Sequence, residues 1–126
     1  MKLDPDLSRT ILLKIEADPS FTGWPQTRNT DAVRLGIAGY SDEDVTYNLV
    51  QLVDGGLLVG NTKMASQTGN VMIAKLTPSG HQFLDDIRDS DIWKRTRERA
   101  KGAASIGFGF LWEIVKAEIK LKLGLP

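Results

Sequence analysis

The chain of 126 residues predicts an α+β fold, mostly helical, on three observations. Two segments open with a capping side chain followed by proline, Asp4-Pro5 and Thr77-Pro78, and a third opens with Ser41-Asp42-Glu43-Asp44, so three helix starts are legible. Gly55-Gly56 then divides a helical apolar stripe from two short apolar runs that read as a hairpin. Beyond residue 106 apolar residues return at helical spacing, which predicts an amphipathic C-terminal helix.

Each element follows from local chemistry. Leu7, Ile11, Leu12 and Ile15 recur one helical turn apart, giving a first helix over about residues 5–17 that Asp18-Pro19 stops. Ser20 to Thr30 is polar and aperiodic, a loop with Phe21 and Trp24 as anchors. Residues 31–37 alternate, with Val33, Leu35 and Ile37 on one face, and predict a short strand. Ser41 to Asp44 resembles a capping box whose acids suit the positive end of the helix dipole, and Val45, Leu49, Leu52 and Val53 carry the core stripe to Gly55. Leu57-Leu58-Val59 and the run from Val71 to Leu76 form the hairpin, with a polar tip between them. The next helix carries Phe83, Leu84 and Ile87, and Ser90 is placed to cap a continuation through Ile92 and Trp93. Gly102, Gly107 and Gly109 weaken the run before the final helix.

Helix, strand, helix, hairpin and helix is the succession of a winged-helix-like domain, in which the helix before the hairpin takes the recognition position and the hairpin is the wing. The expected division is a winged-helix-like domain over residues 1–88 and a C-terminal helical extension over 89–126, for dimerisation or docking. The middle helix of the usual trihelical core falls between about Thr22 and Asp31, and whether residues 19–30 supply it stays open.

Two motifs resemble a known family. Tyr40-Ser41-x-Glu43-x-x-x-Tyr47-x-Leu49-x-x-Leu52-x-x-x-Gly56-Leu57-Leu58 is followed by Leu76-Thr77-x-x-Gly80-His81-x-Phe83-Leu84-Asp85-x-Ile87-Arg88-Asp89-x-x-x-Trp93, after an opening of the form Asp4-x-x-Leu7-x-Arg9-x-Ile11-Leu12. Together they resemble the bacterial family named domain of unknown function 2513. The resemblance covers nearly the whole chain and implies a small winged-helix-like protein, often in a phage or prophage context. It implies no activity and no catalytic residues.

Composition removes several chemistries. There is no cysteine and one histidine, so disulfides and thiolate metal sites are excluded and a metal site lacks ligands. His81 and Asp85, one turn apart, read as structural hydrogen bonding, and Asp85, Asp86, Asp89 and Asp91 around Arg88 read as a solvated, ion-paired helix end. No phosphate-binding glycine loop and no glycine-flanked serine with a histidine base is present. The expectation is a protein without catalytic residues, metal or cofactor. Met1 to Pro5 lacks the basic and apolar regions of a signal peptide and no run reaches membrane-spanning length, so the expected location is cytoplasmic.

Charge divides along the chain. Residues 1–92 hold 8 basic against 13 acidic side chains and residues 93–126 hold 8 against 3, although the whole is neutral. Lys94, Arg95, Arg97, Arg99 and Lys101 are the densest basic run and, with Lys63 of the wing, the candidate phosphate contacts to duplex DNA. Tyr47, Asn48 and Gln51 are the candidate base readers. Against DNA stands the same helix, 41–55, which carries Glu43, Asp44 and Asp54 and no Lys or Arg.

Two functions follow. The first is a noncatalytic DNA-associated regulator of phage or mobile-element origin, a homodimer through Phe108, Leu111, Trp112, Val115 and Ile119. The alternative is a protein-interaction adaptor whose acidic helix 41–55 meets a basic partner, such as a host protein, with no DNA binding. Membrane attachment through residues 106–125 is the weakest reading.

Overall fold

A computed structural model describes residues 3–21, 28–30, 32–63, 65–68, 71–101 and 107–125. Its elements run α1 (Pro5–Ala17), β1 (Arg28–Thr30), α2 (Ala32–Leu35), α3 (Asp42–Asp54), β2 (Leu58–Asn61), α4 (Ala65–Thr68), β3 (Val71–Leu76), α5 (Pro78–Ile87), α6 (Ser90–Ala100) and α7 (Phe108–Lys122). The fold is α+β and mostly helical. Its antiparallel sheet has the order β1-β3-β2, with the hairpin β2–β3 following α3 directly.

The capping chemistry holds in space. Asp4 accepts from the Leu7 amide at 3.1 Å, Ser41 from Asp44 at 3.1 Å and Thr77 from Gly80 at 2.9 Å, so three predicted N-termini have the predicted side chains on orphan donors. Gly56 adopts φ 78° and turns the chain from α3 into β2. Leu7, Ile11, Leu12 and Ile15 of α1, Val45, Leu49 and Leu52 of α3, and Phe83, Leu84 and Ile87 of α5 meet Val71 and Ile73 of β3 in one core. Burying a side chain of that size contributes about 1.5–3 kcal/mol, and this set accounts for the association of helices and sheet.

Three expectations are corrected. Residues 31–37 do not form a strand: Ala32–Leu35 is a short helix that buries Leu35 and ends at Gly36, whose φ of 68° only glycine adopts freely. Val33, Leu35 and Ile37 are too few to separate a period of two from one helical turn. The strand lies earlier, at Arg28–Thr30, within the predicted loop, because backbone pairing with β3 orders three residues that have no apolar pattern. Finally, Asp89 rather than Ser90 caps α6, accepting from Asp91 at 2.8 Å and Ile92 at 3.2 Å. Phe21 is buried as expected of an anchor, whereas Trp24 lies outside the described residues, as does most of the segment between Thr22 and Asp31.

The final helix docks on the body. Phe108, Leu111 and Val115 are buried in the common core, and Trp112 and Ile119 are partly buried against it. The Phe83 ring meets Phe108 and Trp112 edge-on at centroid distances of 6.1 and 5.3 Å. The five side chains expected at a dimer face therefore pack within their own chain, against α5 and α6. No helix among the described residues is long and apolar enough to cross a membrane.

Candidate interaction surfaces

On α3, the stripe of Val45, Leu49 and Leu52 faces the core and takes Asn48 with it. Asn48 is 1% exposed. Its Oδ1 accepts from the Asp4 amide at 2.9 Å and from Ser8 Oγ at 3.1 Å, and its Nδ2 donates to the Asp44 carbonyl at 2.9 Å. Asn48 is thus a strut between α1 and α3, unavailable to a base edge, which corrects its place among the base readers. Asn48→Ala is expected to lower stability by about 1–3 kcal/mol, since it orphans the buried Ser8 hydroxyl and the part-buried Asp4 amide. Urea unfolding checks this, and an unchanged midpoint would refute the strut.

Tyr47 and Gln51 remain half-exposed on the outer side of α3, beside exposed Asp42, Glu43 and Asp54 and half-buried Asp44. None of these four carboxylates forms an ion pair with a base among the described residues. The helix packs on α1, α2 and the sheet, while α7 lies mainly against α5 and α6, and among the described residues the outer side of α3 is exposed or half-exposed.

The basic run has a different fate. Arg95 pairs with Asp91 at 3.3 Å, Arg97 with Asp6 at 3.1 Å and Lys101 with Glu98 at 3.1 Å. Arg99 pairs with Glu118, a buried carboxylate on the inner face of α7. Lys94 alone of the five has no carboxylate partner among the described residues. Lys63 is exposed at the hairpin tip, where its backbone amide donates to Asn61 Oδ1 at 2.9 Å. Asn70 of the expected wing lies outside the described residues.

The acidic cluster around Arg88 is equally occupied. Arg88 pairs with Glu16 of α1 and, at 3.0 Å, with Asp85, and these bonds raise its pKa further above the ordinary arginine value. Asp86 accepts from Trp112 Nε1 at 3.0 Å, tying α7 to α5. Asp89 accepts from Lys122 and caps α6, and the Lys122 ammonium together with the Ile92 amide holds its carboxyl below the usual range. His81 is exposed and shares a small cleft with Glu16, Phe21 and Lys75.

The matches to known proteins agree with the motif residues. A family described as a hypothetical protein, DUF2513, matches residues 2–106. The chain belongs to the DUF2513 family. That span takes in α1 to α6 and stops before α7. An uncharacterised protein of Haemophilus influenzae is 29% identical over 101 residues, 80% of either chain. Among solved structures none matches significantly.

In this DUF2513 chain the family-like residues hold the fold. Arg9 Nε donates to the Ile87 carbonyl at 3.1 Å while its guanidinium lies 5.7 Å from the Trp93 ring, and Trp93 Nε1 donates to Asp6 at 2.9 Å. These bonds lock α1 to α5 and α6. Two features escaped the sequence reading, Glu118 and the double use of Asp6. For Glu118 a signal exists: it follows Leu111 and Val115 at helical spacing, a carboxylate inside an apolar arc. For Asp6 there is none, because its partners are some 90 residues away in sequence.

Proposed function

We propose that the protein is a noncatalytic, winged-helix-like binding module that engages a basic protein partner through the outer face of α3. The winged-helix assignment is supported by the order α1–β1–α2–α3–β2–α4–β3 and the sheet order β1-β3-β2, with α2 as a reduced middle helix, α3 in the recognition position and the four-residue α4 at the tip of the hairpin. One observation carries the function: Asp42, Glu43, Asp44 and Asp54 stand on α3 without an ion-paired base among the described residues, while four of the five clustered bases at positions 94–101 are ion-paired with carboxylates of the same chain. Duplex binding draws on phosphate neutralisation, and Lys94 and Lys63 are what remains of the six basic candidates. A surface of this kind repels a duplex and attracts a basic helix or loop.

The test compares two probes by fluorescence anisotropy, a labelled lysine-rich helical peptide and a labelled random duplex. The expected result is salt-sensitive peptide binding that weakens at least about tenfold in Glu43→Lys/Asp54→Lys and survives in Glu98→Gln, with no duplex binding. Peptide binding untouched by the reversal would refute the α3 surface. Duplex binding lost in Lys63→Ala/Lys94→Ala would instead establish the DNA-associated reading, which the topology favours.

A further inference from the structure

The helix α7 carries two apolar stripes, and docking on the body uses one. Leu111 and Val115 point inward, whereas Phe110, Ile114, Ala117 and Leu121 line another side. Phe110 and Leu121 at its ends are 58% and 56% exposed, while Ile114 and Ala117 between them are half-buried. The C-terminal turn extends it, since the Leu125 amide donates to the Lys120 carbonyl at 2.8 Å and Leu125 is itself exposed.

The spacing of the outer stripe is 4, 3 and 4 residues, the alternation of a coiled-coil seam. It is also self-complementary. Laid antiparallel on itself about the midpoint of Ile114 and Ala117, the stripe sets Phe110 against Leu121 of the second copy and Ile114 against Ala117, large opposite large and branched opposite small. The same alignment sets Glu113 beside Lys120 of the second copy, twice by symmetry. Lys120 has no acid partner of its own among the described residues, and Glu113 has an exposed contact to Lys116 at 3.7 Å, which contributes little. A lipid surface fits less well, because an anionic membrane selects bases along the polar flank and here an acid alternates with them.

We propose that the outer stripe of α7 pairs antiparallel with the same stripe of a second copy of this chain. The interface differs from the inner face of α7 and uses none of the α3 acids.

Sedimentation of the full chain over micromolar to submillimolar concentrations reads the association directly. The expected result is a concentration-dependent monomer–dimer equilibrium. Leu121→Glu and Phe110→Ser, both at exposed positions, should each weaken it at least tenfold, which is about 1.4 kcal/mol of association energy, with an unchanged melting temperature at concentrations where the wild type is monomeric. Glu113→Lys and Lys120→Glu should each weaken it, and the double swap should restore it, because each pair across the axis is then again of opposite sign. A chain monomeric throughout, or a dimer indifferent to Leu121→Glu, overturns the proposal. So does a monomer that floats with phosphatidylglycerol vesicles through the same stripe, and so does a swap that fails to rescue.

Discussion

Gly80→Ala is expected to destabilise the protein by about 3 kcal/mol or more, at the top of the range for overpacked sites. A methyl group at Gly80 would collide with the Leu57 carbonyl oxygen and stand 3.0 Å from its carbon and 3.2 Å from Leu76 Cδ2. Two of those atoms are backbone and cannot rotate away. The Leu57 carbonyl also accepts from the Thr77 amide at 3.1 Å, and Thr77 caps α5 through its bond from the Gly80 amide. Relieving the clash therefore separates α5 from the turn after α3 and breaks that cap. Ordinary helix propensity works in the opposite direction, favouring Ala over Gly by about 1 kcal/mol. Gly109→Ala isolates that term, since nothing lies within 4 Å of its added methyl, and it should stabilise by up to about 1 kcal/mol. Opposite shifts of the urea midpoint in the two variants are the expected outcome. A wild-type midpoint in Gly80→Ala would show that α5 does not sit on Leu57 this closely.

The sequence displays what short-range chemistry decides. Caps at Asp4, Ser41 and Thr77 and the stripes of α1, α3 and α5 depend on neighbours within a turn, and all are found where the spacing put them. Asn48 illustrates a finer point: it falls inside the arc of Val45, Leu49 and Leu52, so its burial is readable, but a projection weighted by polarity turns it outward. The strand Arg28–Thr30 has no such signature, because it exists through pairing with β3, more than 40 residues later. The α6 bases divide along the same line. Asp91 and Glu98 stand one turn from Arg95 and Lys101 and are visible partners, while Asp6 and Glu118 reach Arg97 and Arg99 through tertiary structure alone. Likewise the inner face of α7 was legible in Leu111 and Val115, and its covering by Phe83 was not.

Arg99→Ala should cost about 3 kcal/mol, near the low end for breaking a buried pair, because the Arg99 side chain is half in water while Glu118 is only 3% exposed. What is lost is less the attraction itself than the cover it gives a desolvated carboxylate under α6. Replacing the acid instead removes the problem, so Glu118→Leu should be near neutral or stabilising, and Glu118→Leu/Arg99→Ala should match it rather than add the cost of the arginine. Denaturant unfolding of the four proteins gives the coupling energy. If Arg99→Ala costs the same in both backgrounds, the pair is incidental. The cycle also bears on function, since Arg99 sits in the run that most resembles a phosphate-binding surface. An alanine substitution there lowers the folded population and so lowers apparent affinity for any partner, DNA included. Glu118→Leu/Arg99→Ala removes the same positive charge while keeping the fold. Binding retained by that variant assigns Arg99 to the joint between α6 and α7, and binding lost assigns it to a ligand.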